Sequence, residues 1–386
     1  MTPDRDTSRA GSRRLALALA VAAVLLLAAR YWRSDAEDFV YYYCAGAVVR
    51  AGASPYADAP YQACLNAAYG GANPNASRGA ASAYPPVAMP LFRALAALPY
   101  QASYALWNAI LLAASLALIL GLGFAPEDGV LLALWPGFVL CWRYHKLTLP
   151  LLAAALAGLR LLESGRELAG GAALGVLALQ PQWLAPLAVR AAARGKRRAF
   201  VAAAATAVLL TALSWRAGWL TAWLSSAATH AHSFVGYDNQ SLFVAALKGL
   251  LAVGLEPRSW LARPLRAALT VTAAALAWPY ARRKDALGPF LGFILLAQPY
   301  SHASDALWAF PFFLYIRDAA ARRFSWSRRQ AAAAALGAIA LTWLILLFAG
   351  GRGRVAVESR EGYLTCALAL AGLALARRKN DVPAGL

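Results

Sequence analysis

Acidic side chains are scarce in this chain: 18 aspartates and glutamates stand against 37 lysines and arginines among 386 residues. Charge of either sign is thin, at 14% of residues, where a soluble domain carries nearer a quarter. That shortage excludes an ordinary water-soluble fold, because most of the apolar stretches between residues 15 and 376 have no polar face to turn to water. Cysteines number four, too few for a disulfide framework. Cys44 and Cys64 share one loop, and the sequence leaves open whether an oxidising compartment joins them or both stay as small apolar side chains. Metal-ligand spacing is missing as well. His302 and Asp305 offer two ligands, and neither His230 nor His232 is tied to them by local spacing. No cofactor is expected, and a divalent-metal requirement is left open. Internal repeats, low-complexity tracts and soluble domains are absent too, so residues 1–386 read as a single integral membrane domain.

What is present agrees. Hydrophobic residues make up 61% of the chain and the mean hydropathy is +0.51. The net charge of +19 invites a nucleic-acid partner, but its distribution argues against one. The basic residues sit in short clusters, such as Arg190–Arg198, Arg282–Lys284 and Arg317–Arg329, and each abuts an apolar span. The positive-inside rule explains that pattern without a polyanion.

The first run, "RRLALALAVAAVLLLAARYW", resembles a signal peptide, yet aromatics and Arg33 follow it instead of a small-residue cleavage site, so it reads as an uncleaved anchor. Threading from a basic, cytoplasmic N-terminus gives an all-α polytopic protein of about ten transmembrane helices. The expected spans are about 15–32, 100–121, 129–142, 147–162, 198–215, 260–281, 286–300, 304–317, 329–350 and 361–376. Residues 33–99 form a long first outer loop, and 216–259 a second outer stretch. The segment 170–189 is broken by "QPQ" and reads as a re-entrant hairpin, since one crossing would place the 190–198 cluster outside.

The polar residues that topology does not explain gather on the outer side. Asp35, Glu37 and Asp38 follow the first span; "RYHK" (143–146), "YDNQSL" (237–242) and "QPYSHASDALW" (298–308) lie on the same face. Asp38 opens a helix that carries Tyr41, Tyr42 and Ala45 on its own side. It suits either a helix cap or a general base. Intramembrane His and Asp, as at His302 and Asp305, are costly and mostly functional, with a cap at Asp305 as the plainer alternative. Asn239 and Gln240 offer amide groups, or a turn. Arg143, His145 and Lys146 put positive charge outside, against the trend, which fits a lipid phosphate or a headgroup anchor.

Together these residues resemble the C-type glycosyltransferases that use polyprenyl-phosphate sugars, and within them glycosyltransferase family 87, the polyprenyl-phosphate-mannose-dependent mannosyltransferases. The landmarks are the acid-and-tyrosine loop with "GASPY", "YPP" (84–86), "NQSL" (239–242) and "QPYSHASDALWAFP" (298–311), in that order. Two departures stand out: His145 and Lys146 where relatives tend to have Gly-Gln, and Gln180 where many have Lys. The resemblance implies a C-type glycosyltransferase bundle that moves a hexosyl, first of all mannosyl, group from a polyprenyl-phosphate donor to an extracytoplasmic lipid or glycan acceptor, with inversion. It implies Asp38 as the base, and His302, Arg143, His145 and Lys146 on the phosphate. Asn239, Gln240 and Asp305 then meet sugar hydroxyls, and Tyr42 and Tyr84 line the substrate site. The rival reading is a transporter or lipid flippase, built from the same broken helices.

Overall fold

The computed structural model describes residues 5–32, 37–71, 82, 84–121, 124–233, 259–298 and 303–349. All regular structure in these residues is helical. In chain order the α-helices are α1 (Arg5–Tyr31), α2 (Glu37–Arg50), α3 (Asp58–Ala68), α4 (Met89–Leu95), α5 (Tyr100–Leu120), α6 (Pro126–Leu134), α7 (Pro136–Tyr144), α8 (Thr148–Glu163), α9 (Glu167–Gly175), α10 (Pro181–Ala193), α11 (Arg197–Ser214), α12 (Trp219–Ser233), α13 (Ser259–Ala281), α14 (Leu287–Ala297), α15 (Phe310–Arg323) and α16 (Arg328–Ala349). Among the described residues three helical stretches are long and apolar enough to cross a bilayer: Gly11–Tyr31, Tyr100–Leu120 and Arg197–Ser214. At 1.5 Å per residue, 21 residues span about 32 Å, the thickness of a hydrocarbon core. Large apolar side chains such as Leu26, Val208, Leu209 and Leu213 stand exposed on two of these three, as they do where lipid is the solvent. This is a membrane protein.

Prolines set the breaks. The sequence suggests one helix over 129–142, but the chain interrupts it at Trp135, because Pro136 lacks an N–H and disfavours helical geometry in the residue before it. At "QPQ" the expected break is present: a 3-10 turn, Val176–Leu179, runs into Gln180 at φ −135° and ψ 81°, and α10 starts afresh on Pro181. The stretch expected as a helix from residue 304 begins as a 3-10 helix, Ala303–Ala309, before α15.

The chain forms two compact units, Met1–Ala133 with Phe138–Phe234, and Leu134–Gly137 with Val235–Leu386. In the first, α9 packs closely on α8 and α11. Gly171 and Gly175, spaced as small-xxx-small, make this possible: a β-carbon on Gly171 would collide with the Ala199 backbone, and one on Gly175 with Thr206. α2 packs on α4 just as closely, with Gly46 against the Phe92 carbonyl. A disulfide joins Cys44 of α2 to Cys64 of α3, with the α-carbons 5.6 Å apart. Trp107, Trp142 and Trp183 fill the core of this unit. The second unit buries Phe293, Trp308 and Phe310, and Trp135 Nε1 donates to the Ala306 carbonyl at 2.8 Å.

Candidate active site

Asp38 is the second residue of α2 and so lies inside the first turn, not at a cap position. A carboxylate there complements the positive end of the helix dipole while its side chain stays available for other partners. The partner is Lys146, whose Nζ stands 2.6 Å from Asp38 Oδ2; the two side chains are 13% and 10% exposed. Tyr42, one turn along α2, donates its hydroxyl to the same oxygen at 3.4 Å, and Tyr84 approaches it at 3.5 Å. Among the described residues, all three contacts fall on Oδ2.

The tyrosines are fixed by their surroundings. Tyr42 stacks on Phe92 with centroids 4.9 Å apart, and meets Tyr84 and Trp107 edge-on at 5.0 and 5.4 Å. Its hydroxyl also accepts the Leu147 N–H at 3.0 Å. Burial, and then the adjacent Asp38 carboxylate, push the Tyr42 phenol far above the ordinary tyrosine range. Burial, and then Tyr42 and Asp38, do the same to Tyr84. Both phenols therefore keep their protons and act as donors. Tyr56 steadies Tyr84 in turn, through a 2.8 Å bond from its hydroxyl to the Tyr84 carbonyl.

Lys146 owes its position to the turn between α7 and α8. The Lys146 N–H donates to the Cys141 carbonyl at 2.9 Å and the His145 N–H to Trp142 at 3.4 Å, the two bonds of a Schellman motif. The residue between must be left-handed, and His145 has φ +56°. Glycine fills that position most cheaply; a side chain there needs compensation. His145 finds it on α5. Its Nε2 lies 3.0 Å from Tyr104 Oη and 3.1 Å from Asn108 Oδ1, and Trp107 Nε1 donates to its carbonyl at 3.0 Å. Asn108 Nδ2 donates to the Tyr104 carbonyl at 3.2 Å, so its Oδ1 is the acceptor and the His145 proton is assigned to Nε2. Tyr104, Trp107 and Asn108 are spaced i, i+3, i+4 on one face of α5. Burial pushes the His145 pKa down to about 4, against a weaker opposite pull from the Arg143 backbone. The ring is neutral at pH 7 and wholly buried; it holds the turn and does not face an opening.

The expected site residues thus divide. The first unit brings Asp38, Tyr42, Tyr84 and Lys146 together, with His145 behind them. Arg143 is exposed, its guanidinium 5.3 Å over the Tyr144 ring, and Lys146 Nζ lies 5.9 Å from the same ring. Asp305 is buried in the second unit. Asn239, Gln240, His302 and Asp35 lie outside the described residues, as does the expected last span, 361–376; Glu37 is described in backbone only. The α5 residues behind His145 went unnoticed in the sequence, although a signal was there: Asn108 is an amide in the middle of an apolar, membrane-length run.

A family model for glycosyltransferase family 87 matches residues 83–299, more than half of the chain. That stretch takes in Tyr84 and the His145–Lys146 turn and stops short of Asp38 on one side and Asp305 on the other. No curated protein matches, and no solved structure does.

Proposed function

The chain belongs to glycosyltransferase family 87, and from that premise we propose that it transfers a hexosyl group, mannosyl first of all, from a polyprenyl-phosphate donor to a lipid or glycan acceptor outside the cytoplasm, with Asp38 as general base. The observation that carries this reading is the Asp38–Lys146 pair at 2.6 Å. A carboxylate able to take a proton and an ammonium able to hold a phosphate stand side by side in a part-buried site.

The chemistry asks little more. The acceptor hydroxyl loses its proton to Asp38 through Oδ1, the oxygen to which no described residue bonds. The acceptor oxygen attacks the anomeric carbon as the carbon–oxygen bond to phosphate breaks. The electron pair leaves with the polyprenyl phosphate, and the single displacement inverts the sugar. Lys146 neutralises that phosphate. Tyr42 and Tyr84, locked as donors on Oδ2, keep the carboxylate in one orientation. Before substrate arrives, Asp38 holds Lys146; a donor phosphate competes for the ammonium and draws it toward the leaving group. His302 and the exposed Arg143 are further phosphate ligands in this proposal, and Asn239, Gln240 and Asp305 meet sugar hydroxyls.

Placement follows the basic clusters. We take the protein as a multi-pass plasma (inner) membrane domain of about ten spans, with both termini cytoplasmic and the Asp38 site outside. The Cys44–Cys64 disulfide supports an oxidising, outer location for α2 and α3. The test is transfer in vitro: purified protein, a defined polyprenyl-phosphate mannose and membrane extract, with products identified by mass. Transfer that depends on Asp38 supports the reading. Donor left unconsumed by well-folded protein, whatever polyprenyl-phosphate hexose is offered, would sink it.

A further inference from the structure

A second basic site lies at the other end of α2. Arg50 ends that helix, Arg93 lies in the last turn of α4, and Arg216 follows α11. All three line one cavity of about 370 Å³, with Val49, Met89, Leu213 and Trp219 among its apolar walls. Among the described residues none of the three arginines meets a carboxylate. The plain account is that each arginine complements the negative end of its own helix. Three such ends carry roughly half an elementary charge each, so three guanidinium groups leave the cavity clearly positive. Positive charge gathered in an apolar-walled cavity, with no anion of the described chain to meet it, suits an anionic ligand that carries its own hydrocarbon.

Its depth names the ligand. α11 is one of the three membrane-length stretches and ends at Ser214, so the residues just after it stand at headgroup level. Trp215 and Trp219 flank Arg216 there, as aromatics do at a bilayer interface. Tyr56 meets the Trp219 ring edge-on, with centroids 6.1 Å apart, and fixes that wall. Arg50 lies twelve residues beyond Asp38 on α2, about 18 Å along the helix axis, so this is not the phosphate position at Lys146.

We propose that the Arg50–Arg93–Arg216 cavity binds the phosphate of a lipid, with the hydrocarbon chain laid along Val49, Met89 and Leu213. The proposal goes beyond the transfer reaction, and its readout needs no activity. Purified full-length protein in detergent is titrated with dioleoyl phosphatidic acid, dioleoylglycerol or glycerol phosphate, and bound ligand is counted by native mass spectrometry. Phosphatidic acid is retained, dioleoylglycerol is not, and glycerol phosphate does not compete. Replacing all three arginines by Gln weakens phosphatidic acid binding about a hundredfold, at about fivefold for each basic residue. The side chains are exposed, so losing three helix-end charges lowers the melting temperature only slightly, and a triple Lys variant restores it and regains most of the binding. Equal retention by wild type and the Gln variant overturns the site. Equal retention of dioleoylglycerol overturns the phosphate, and competition by glycerol phosphate at matched concentration overturns the lipid.

Discussion

Replacing Asp38 and Lys146 singly and together separates a structural ion pair from a catalytic one. At the observed 2.6 Å, two unit charges attract by about 6 kcal/mol at an effective dielectric of 20. Desolvation of both groups offsets most of that. Removing one partner of a fully buried pair costs about 3–5 kcal/mol. With side chains 13% and 10% exposed, Lys146→Met should cost somewhat less, about 2–3 kcal/mol, because it strands the carboxylate. Asp38→Asn should cost about 1–2 kcal/mol, since the amide still accepts from Tyr42 and Tyr84. The double variant strands no charge, so its loss should fall below the sum of the single losses by about 1–2 kcal/mol. Thermal unfolding in detergent reads this coupling. Turnover must behave differently. Loss of a general base costs about a hundred- to ten-thousand-fold, so Asp38→Asn hardly turns over and the double variant recovers nothing. Asp35→Asn and Glu37→Gln should stay within a few-fold of wild type. If Asp38→Asn keeps a near-normal rate, or the double variant regains turnover along with stability, the carboxylate is structural and the mechanism is wrong.

Two further outcomes test the supporting structure. His145 titrates at about 4 in the folded protein against 6.5 unfolded. The unfolded chain binds the extra proton between those values, so stability falls as pH drops through that window, by roughly 3 kcal/mol overall. His145→Asn accepts the left-handed turn but cannot titrate, and its melting temperature should lose less on acidification than that of wild type; equal losses would remove His145 as the source. In the re-entrant reading of 170–189, a cysteine at Ala193 should react with an impermeant thiol reagent only after permeabilisation, in a background lacking Cys141 and Cys366, and labelling of intact cells would mean that the segment crosses.

The membrane character and the helix break at Pro181 were legible in the sequence because they rest on local quantities, and the chemical class was legible through a family resemblance. Apolar length and Pro181 act within a turn or two of the chain, and the broken "QPQ" segment appears where proline chemistry requires it, whereas the same chemistry at Pro136 divides a stretch that the sequence suggested as one span. Asp38, too, stood out locally, as an acid followed by tyrosines at helical spacing. What it touches did not. The sequence set Lys146 beside a lipid phosphate and His145 with it; the fold puts Lys146 against Asp38, 108 positions earlier in the chain, and withdraws His145 into the core. Neither fact is local. The turn "RYHKL" reads as a basic headgroup anchor until α5 supplies Tyr104, Trp107 and Asn108 to hold a non-glycine residue at φ +56°. The Cys44–Cys64 pairing was likewise undecided until α2 and α3 came side by side. Residue types and spacing determined that this chain is a helical membrane protein with an acid after its first span, and its motifs in order carried the resemblance to a glycosyltransferase family. Only tertiary packing decided which cation meets that acid, because the acid lies on α2 and the lysine in the turn between α7 and α8, and nothing but the fold sets the distance between them.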